Sequence, residues 1–268
     1  MARLESLRLP RRRRRESHAW RRVRWTLLGL VVVAITLVVQ LPAAWLADSV
    51  ATRTGQRVLL ADAAGTIWHG SATLALSAGA GSQTATVLPG RLTWAVSGWP
   101  LLQGTLRVVV SHDRALAAPV ALTVTPRRWT VQTGAISLPA SLLEGVGAPF
   151  NTLRPDGQMR LDWSGLQGRF ADGTREGHLT LRIEQVSSAV SRLRPLGSYR
   201  AEIDWTGAAG RMELKTLAGP LYLEGSGTLG RQARFTGTAH ADPEAAAQLA
   251  GLLSLLGRRE DNVTRLNF

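Results

Sequence analysis

Cysteine is absent from this 268-residue chain. Its absence excludes disulfides, thiolate metal sites and a cysteine nucleophile, so the fold has to be stable without a covalent cross-link. Histidine is also scarce, and none of the five histidines lies within four residues of another. Paired-histidine metal motifs such as HxxxH are therefore missing, and the sequence predicts no metal site.

Motifs of the common enzyme classes are missing as well. The chain contains no GxSxG, no phosphate-binding GxxxxGK[ST] loop and no glycine-rich loop that leads from a strand into a helix. Ser111-His112-Asp113 is contiguous, whereas a catalytic triad assembles from separate segments, so we interpret it as a strand end and turn. We therefore expect no catalytic residues, no cofactor and no enzymatic activity.

Acidic residues are too few to balance the basic ones, 19 against 32, which gives a net charge of +13. Residues 1–24 hold ten arginines and two glutamates, so a local tail carries +8 of this charge. Basic tails can bind nucleic acid, but an apolar segment follows this one at once, which favours a role in membrane topology. We expect no nucleic-acid partner. The arginines that we expect to determine the orientation in the membrane are Arg11, Arg12, Arg13, Arg14, Arg15, Arg21, Arg22 and Arg24.

A long apolar run without any charged residue extends over the 22 residues from Trp25 to Leu46. A helix of this length spans a hydrocarbon core of about 30 Å. Trp25 and Trp45 lie near its two ends, where indole rings favour the headgroup region, and the arginines precede it. The sequence predicts a cytoplasmic tail (1–24), a single transmembrane helix (25–46) in the inner membrane, and a periplasmic domain (47–268).

A cleaved signal peptide is the alternative for the same segment. Small residues at 42–44 and Ala47 could form a cleavage site, and the apolar stretch before Gln40 is only 15 residues long. The basic region and the uncharged run are both long, which favours a retained anchor. Whether the N-terminal segment is cleaved stays open at this stage.

Beyond the apolar run, hydrophobic residues alternate with polar ones with a period of two, as in antiparallel strands with one buried face. We predict a mainly β fold, an extended antiparallel sheet built from hairpins. A short amphipathic helix is expected near 243–256, where Asp242-Pro243-Glu244 is a start signal and Gly257 a stop. The predicted strands include 71–77, 86–97, 120–125, 128–134, 158–164, 220–227 and 231–239.

A weak internal repeat links two of these strands: LDWSG at 161–165 and IDWTG at 203–207. We interpret it as one hairpin built twice, with Asp162 and Asp204 capping turns. Two sub-sheets, near 59–135 and 157–240, are expected. The nine tryptophans could bind sugars or lipid, but packing on the sheet is the simpler interpretation.

A glycine-bounded box carries the most specific signal. It reads Gly65, Thr66, Ile67, Trp68, His69, Gly70 and follows the apolar strand 58–64. The glycines favour a tight turn, Trp68 is expected to be buried, and His69 is expected to face solvent. The order of segments resembles the type II secretion system protein N family over nearly the whole chain. The segments are the anchor, 41–46, 58–64, the box, 88–94, 235–239 and a helix ending at 255–257.

The resemblance implies an accessory inner-membrane component of the type II secretion machinery. Such a protein would assist export of folded proteins through contacts with other secretion-system subunits, for which open sheet edges are suited. An alternative is an AsmA-like periplasmic protein that binds or transfers lipid, which would require a continuous exposed apolar groove. A third, a cell-wall-binding module, would expose a row of tryptophans.

Overall fold

The computed structural model describes residues 17–82, 85–101, 103–146, 150–230, 232–260 and 263–267. The tail residues 1–16, with Arg11 to Arg15, lie outside the described residues. The chain divides into two compact units, 1–41 and 42–268.

The first unit contains helix α1 (Ser17–Val39). Its apolar side chains are exposed, and its most apolar window is Arg22–Val39. Among the described residues, this is the one helix long and apolar enough to span a membrane. Arg22, Arg24 and Trp25 lie within α1, which begins at Ser17 and so includes residues 17–24 that were predicted to belong to the tail.

The apolar run 25–46 is not one helix, which corrects the predicted bounds. Helix α1 ends at Val39, and helix α2 (Ala43–Arg53) begins four residues later in the second unit. Pro42 causes the break, because a proline disfavours helical backbone at the residue before it and has no N–H to donate. Pro42 itself is extended (φ −69°, ψ 148°). Trp45 therefore lies on α2.

The second unit is built on one antiparallel sheet of sixteen strands within the described residues. The spatial order is β1-β2-β4-β5-β6-β7-β9-β10-β11-β12-β13-β14-β16-β15, with β3 beside β2 and β8 beside β9. The strands are β1 (Val58–Gly65), β2 (His69–Ser77), β3 (Ala85–Val87), β4 (Leu92–Ser97), β5 (Leu106–His112), β6 (Val120–Val124), β7 (Arg128–Val131), β8 (Gly134–Pro139), β9 (Pro155–Arg169), β10 (Arg175–Ser188), β11 (Gly197–Gly207), β12 (Gly210–Ala218), β13 (Leu221–Leu229), β14 (Arg234–Ala241), β15 (Arg258–Glu260) and β16 (Val263–Asn267).

The two segments expected as sub-sheets are hydrogen-bonded to each other. Strand β7 pairs with the end of β9, with Trp129 opposite Gly168, and β8 pairs with the middle of β9. The strand predicted at 86–97 is interrupted at Pro89-Gly90 and forms β3 and β4. The last two strands, β15 and β16, were not expected from the sequence.

One face of the sheet is apolar, and helices cover parts of it. Trp94 and Ala72 pack with Ala43 of α2, and Leu142 of a 3₁₀ helix (Ala140–Val146) packs with Leu88. The short helices α3 (Gly98–Leu101) and α4 (Phe150–Leu153) lie in connecting segments. The largest cluster lies under helix α5, and its buried members are Leu196, Leu221, Ala239, Ala245, Leu249, Leu252, Leu253 and Leu266.

Helix α5 (Ala246–Leu256) is the predicted amphipathic C-terminal helix. It presents Leu249, Leu252 and Leu253 to the sheet and ends before Gly257, as predicted. Its start is later than expected, because residues 243–245 form a turn and Ala245 occupies the N-cap position without a side-chain cap. Hydrophobic contact with the sheet therefore stabilises this helix more than capping does.

Candidate interaction surfaces

The glycine-bounded box forms the tight turn between β1 and β2. Gly65 has a φ of +90°, a region that favours glycine. The Thr66 N–H donates to the His69 carbonyl (2.9 Å), and the Thr66 hydroxyl accepts from the His69 N–H (3.2 Å). The box thus reverses the chain within three residues.

The buried indole beside this turn belongs to Trp94, on the neighbouring strand β4. Trp94 is 6% exposed, lies directly opposite Gly70, and donates from Nε1 to the Ile67 carbonyl (3.2 Å). A Cβ at position 70 would clash with its ring, so Gly70 is needed for close approach. Trp68 is only half-buried, so the expectation of a buried Trp68 is wrong. His69 is exposed, as expected.

The same arrangement, a tryptophan facing a glycine on the next strand, recurs along the sheet. Each indole lies where the glycine's Cβ would be, which covers the backbone gap that a glycine leaves in a sheet. The pairs are Trp94 with Gly70, Trp129 with Gly168, Trp163 with Gly134, and Trp205 with Gly210. Four of the tryptophans therefore serve sheet packing, in agreement with the simpler interpretation of their abundance.

Asp162 and Asp204 do not cap turns, which corrects the interpretation of the repeat. Both lie within strands, and each carboxylate contacts a basic or histidine side chain on the polar face of the sheet. Asp162 contacts Arg160 (3.0 Å), and Asp204 Oδ1 lies 2.6 Å from His178 Nδ1. The repeat places an aspartate on the polar face and a tryptophan on the apolar face, as period two requires.

The other nitrogen of His178, Nε2, is 2.9 Å from the Thr180 hydroxyl. The order Asp204–His178–Thr180 therefore matches the connections of a catalytic triad. However, 43% of the His178 side chain and 60% of the Asp204 side chain are exposed, and His178 and Thr180 line an open depression of about 410 Å³. Water competes for hydrogen bonds there, whereas triads depend on preorganised dipoles in water-excluded sites. We interpret the three side chains as a surface network.

Charges on the polar face are ordered in two rows that cross the strands. One row is basic and contains Arg160, Arg182, Arg200 and Lys215, each opposite the next. The row beside it is Asp162, Thr180, Glu202 and Glu213. Like charges directly opposite each other destabilise a sheet.

Acids from the second row offset part of that repulsion. Within-strand pairs join Arg200 to Glu202 (3.7 Å) and Lys215 to Glu213 (2.8 Å). The hydrogen bond to Glu213 raises the pKa of Lys215. Rows of like charge lower the stability of the sheet more than interspersed charges would. Sheet stability alone therefore does not explain this arrangement. They present a patterned, mixed-sign surface of the kind that gives partner specificity.

Comparison with protein-family models gives one match, to type II secretion system (T2SS), protein N, over residues 56–267. The match covers the whole sheet, from just before β1 to the end of β16. The chain belongs to the type II secretion system protein N family. No curated protein and no solved structure matches it.

For a protein N family member, sheet edges were the expected contact sites, but the β1 edge is blunted. Pro42 bridges to Thr66 at one end, and Thr54 accepts from the Val58 N–H (3.1 Å) at the other. Between them, a bulge at Asp62 (φ +50°) interrupts the pairing with β2. Bulges and prolines are devices that prevent strand addition. The opposite edge strand, β15, has three residues.

An apolar cavity of about 170 Å³ lies between α4, α5 and the sheet, and it bears on the lipid alternative. Leu153, Ile183, Tyr199, Leu223 and Leu256 are among its lining residues. Burial raises the pKa of the Tyr199 phenol, which donates to the Leu221 carbonyl (3.0 Å). A cavity of this size holds a benzene-sized group, so it does not provide the long groove that a lipid carrier needs.

Proposed function

We propose that this component of the type II secretion machinery is an accessory inner-membrane subunit that acts by binding other subunits. The family match over 56–267 is the observation that carries the proposal. Under this proposal, α1 crosses the inner membrane once, the arginines keep the N-terminus in the cytoplasm, and residues 42–268 are periplasmic. The chain performs no catalysis, binds no nucleic acid and needs no cofactor.

The polar face of β9 to β12 is the proposed contact surface for other subunits. Its basic row and acidic row offer a partner two lines of charge with a defined spacing, which favours one orientation over others. The blunted β1 edge and the short β15 strand make strand addition a poorer route. A partner with acidic side chains facing the basic row and basic side chains facing the acidic row would offset the like-charge repulsion within each row.

Topology is tested with a reporter that is active only in the periplasm, fused after Phe268. We expect full activity, and we expect the intact chain to remain in the membrane fraction after a salt wash, because an apolar helix is not released by salt. A fusion after residue 20 should be inactive. A mature N-terminus near Ala44 or Ala47 would show that the apolar segment is a cleaved signal and would contradict the anchor.

A further inference from the structure

In the part of residues 42–267 that the structure describes, the exposed aromatic side chains lie at one end of the sheet. Three aromatic residues are among the exposed large apolar side chains in the described part of 42–267: Trp45 (66%), Trp99 (76%) and Phe170 (56%). Leu101, beside Trp99, is exposed as well. The remaining exposed apolar side chains of this unit are aliphatic, for example Val190 and Leu217.

The strand register brings these residues to the same end. Gly65 pairs with Gly70, Ser97 with Arg107, and Arg128 with Arg169. The turns after β1, β4 and β9 therefore share one end of the sheet, which we call the aromatic end. Trp99 lies in the turn after β4 and Phe170 in the turn after β9, where its N–H donates to the Arg127 carbonyl (3.1 Å).

The chain enters this unit at the aromatic end. Pro42, the first residue of the unit, bridges to Thr66 in the box, and Trp45 donates its backbone N–H to the Pro42 carbonyl (3.1 Å). In sequence, Pro42 follows the end of α1 by three residues. If α1 spans the bilayer, covalent linkage holds Pro42, and with it this end of the sheet, close to the membrane surface.

The composition of the aromatic end suits a lipid headgroup region. Indole rings favour the boundary between headgroups and acyl chains, and basic side chains are attracted to anionic lipids. Exposed arginines accompany the aromatic residues at this end: Arg107, Arg127, Arg128 and Arg175.

We propose that the aromatic end is a second membrane contact, in which Trp45, Trp99 and Phe170 insert into the outer surface of the same bilayer that α1 crosses. The contact would hold the sheet against the bilayer, in addition to the covalent tether. This inference rests on the proposed anchoring of α1.

The absence of cysteine allows a direct test in the full-length protein. Gln103, exposed in the Trp99 turn, is replaced by cysteine, labelled with an environment-sensitive fluorophore, and reconstituted into vesicles of phosphatidylethanolamine and phosphatidylglycerol. Val190→Cys, at the opposite end of the sheet, is the matched control. Quenching by lipids that carry a nitroxide at the headgroup reports contact with the bilayer.

We expect the Gln103→Cys label to be quenched several-fold more than the Val190→Cys label. Adding Trp99→Ala should reduce that quenching while the protein stays in the vesicles. Equal quenching of both labels in salt-resistant, vesicle-bound protein would overturn the aromatic-end contact and leave the anchor intact. Quenching unchanged by Trp99→Ala would also overturn it, because Trp99 is the most exposed of the three aromatic residues and lies in the same turn as the label. Protein that does not remain with vesicles after a salt wash would overturn the anchor and this inference together.

Discussion

Trp94→Ala is expected to destabilise the sheet-containing unit, residues 42–268, by about 3–5 kcal/mol, the usual cost of replacing a buried tryptophan by alanine. The indole is almost fully buried, packs with Ala43 and Ala72, and satisfies its N–H at the Ile67 carbonyl. Denaturant unfolding of the full-length protein in mild detergent, followed by far-ultraviolet circular dichroism, measures the loss. Trp68→Ala should cost less, about 1–2 kcal/mol, because part of that ring is already in water.

Trp99→Ala is the matched control, since the same residue type is removed from an exposed turn, and its effect should stay within about 0.5 kcal/mol.

A double-mutant cycle tests the contact between Trp94 and Gly70. Gly70→Ala should be costly in the native protein and markedly less costly with Trp94→Ala, because the clash with the ring is removed and only the close contact with the Thr66 carbonyl oxygen (2.8 Å) remains. Additive costs, or a Trp68→Ala loss larger than that of Trp94→Ala, would contradict the packing described for the box.

Gly65→Ala is expected to cost about 2–5 kcal/mol for two separate reasons. The φ of +90° disfavours any residue with a Cβ, at about 1–2 kcal/mol. The added Cβ would also lie 2.5 Å from the His69 carbonyl oxygen, and both partners in that clash are backbone-bound, so overpacking adds about 1–3 kcal/mol. The same unfolding measurement gives the total.

Gly81→Ala separates the two contributions. Gly81 has nearly the same φ, +92°, but a Cβ there would meet nothing within 4 Å, so we expect a loss of about 1–2 kcal/mol. His69→Ala, an exposed change in the same turn, should stay within about 0.5 kcal/mol. If Gly65→Ala were no more costly than Gly81→Ala, the close approach at the box would not be a structural constraint.

Period two in the sequence was enough to predict the antiparallel sheet, because each strand alternates residues between an apolar and a polar face. The C-terminal helix could be predicted from the spacing of Leu249, Leu252 and Leu253, which are local in sequence. Its exact start could not, since contact with the sheet, rather than the Asp242 signal, determines where the helix begins.

Features that depend on strand register could not be predicted from the sequence. Trp68 and Trp94 each have one polar neighbour and one small or apolar neighbour in the sequence, and only the pairing of β2 with β4 shows that Trp94 is the ring over Gly70. The basic row is equally hidden, because Arg160, Arg182 and Arg200 are each about 20 residues apart and become neighbours only through register. The Asp-Trp repeat could have indicated face alternation, but its glycine suggested a turn instead.

In-cell photocrosslinking from Arg182 tests most directly whether the protein works by binding other secretion subunits. Arg182 lies exposed in the middle of the basic row, and a photoreactive residue there should crosslink to other subunits of the secretion machinery, identified by mass spectrometry. The same photoreactive residue in place of Leu249, which is buried between α5 and the sheet, should give no such products. Crosslinks from Arg182 only to proteins outside the secretion machinery, in cells that secrete normally, would contradict the proposed function.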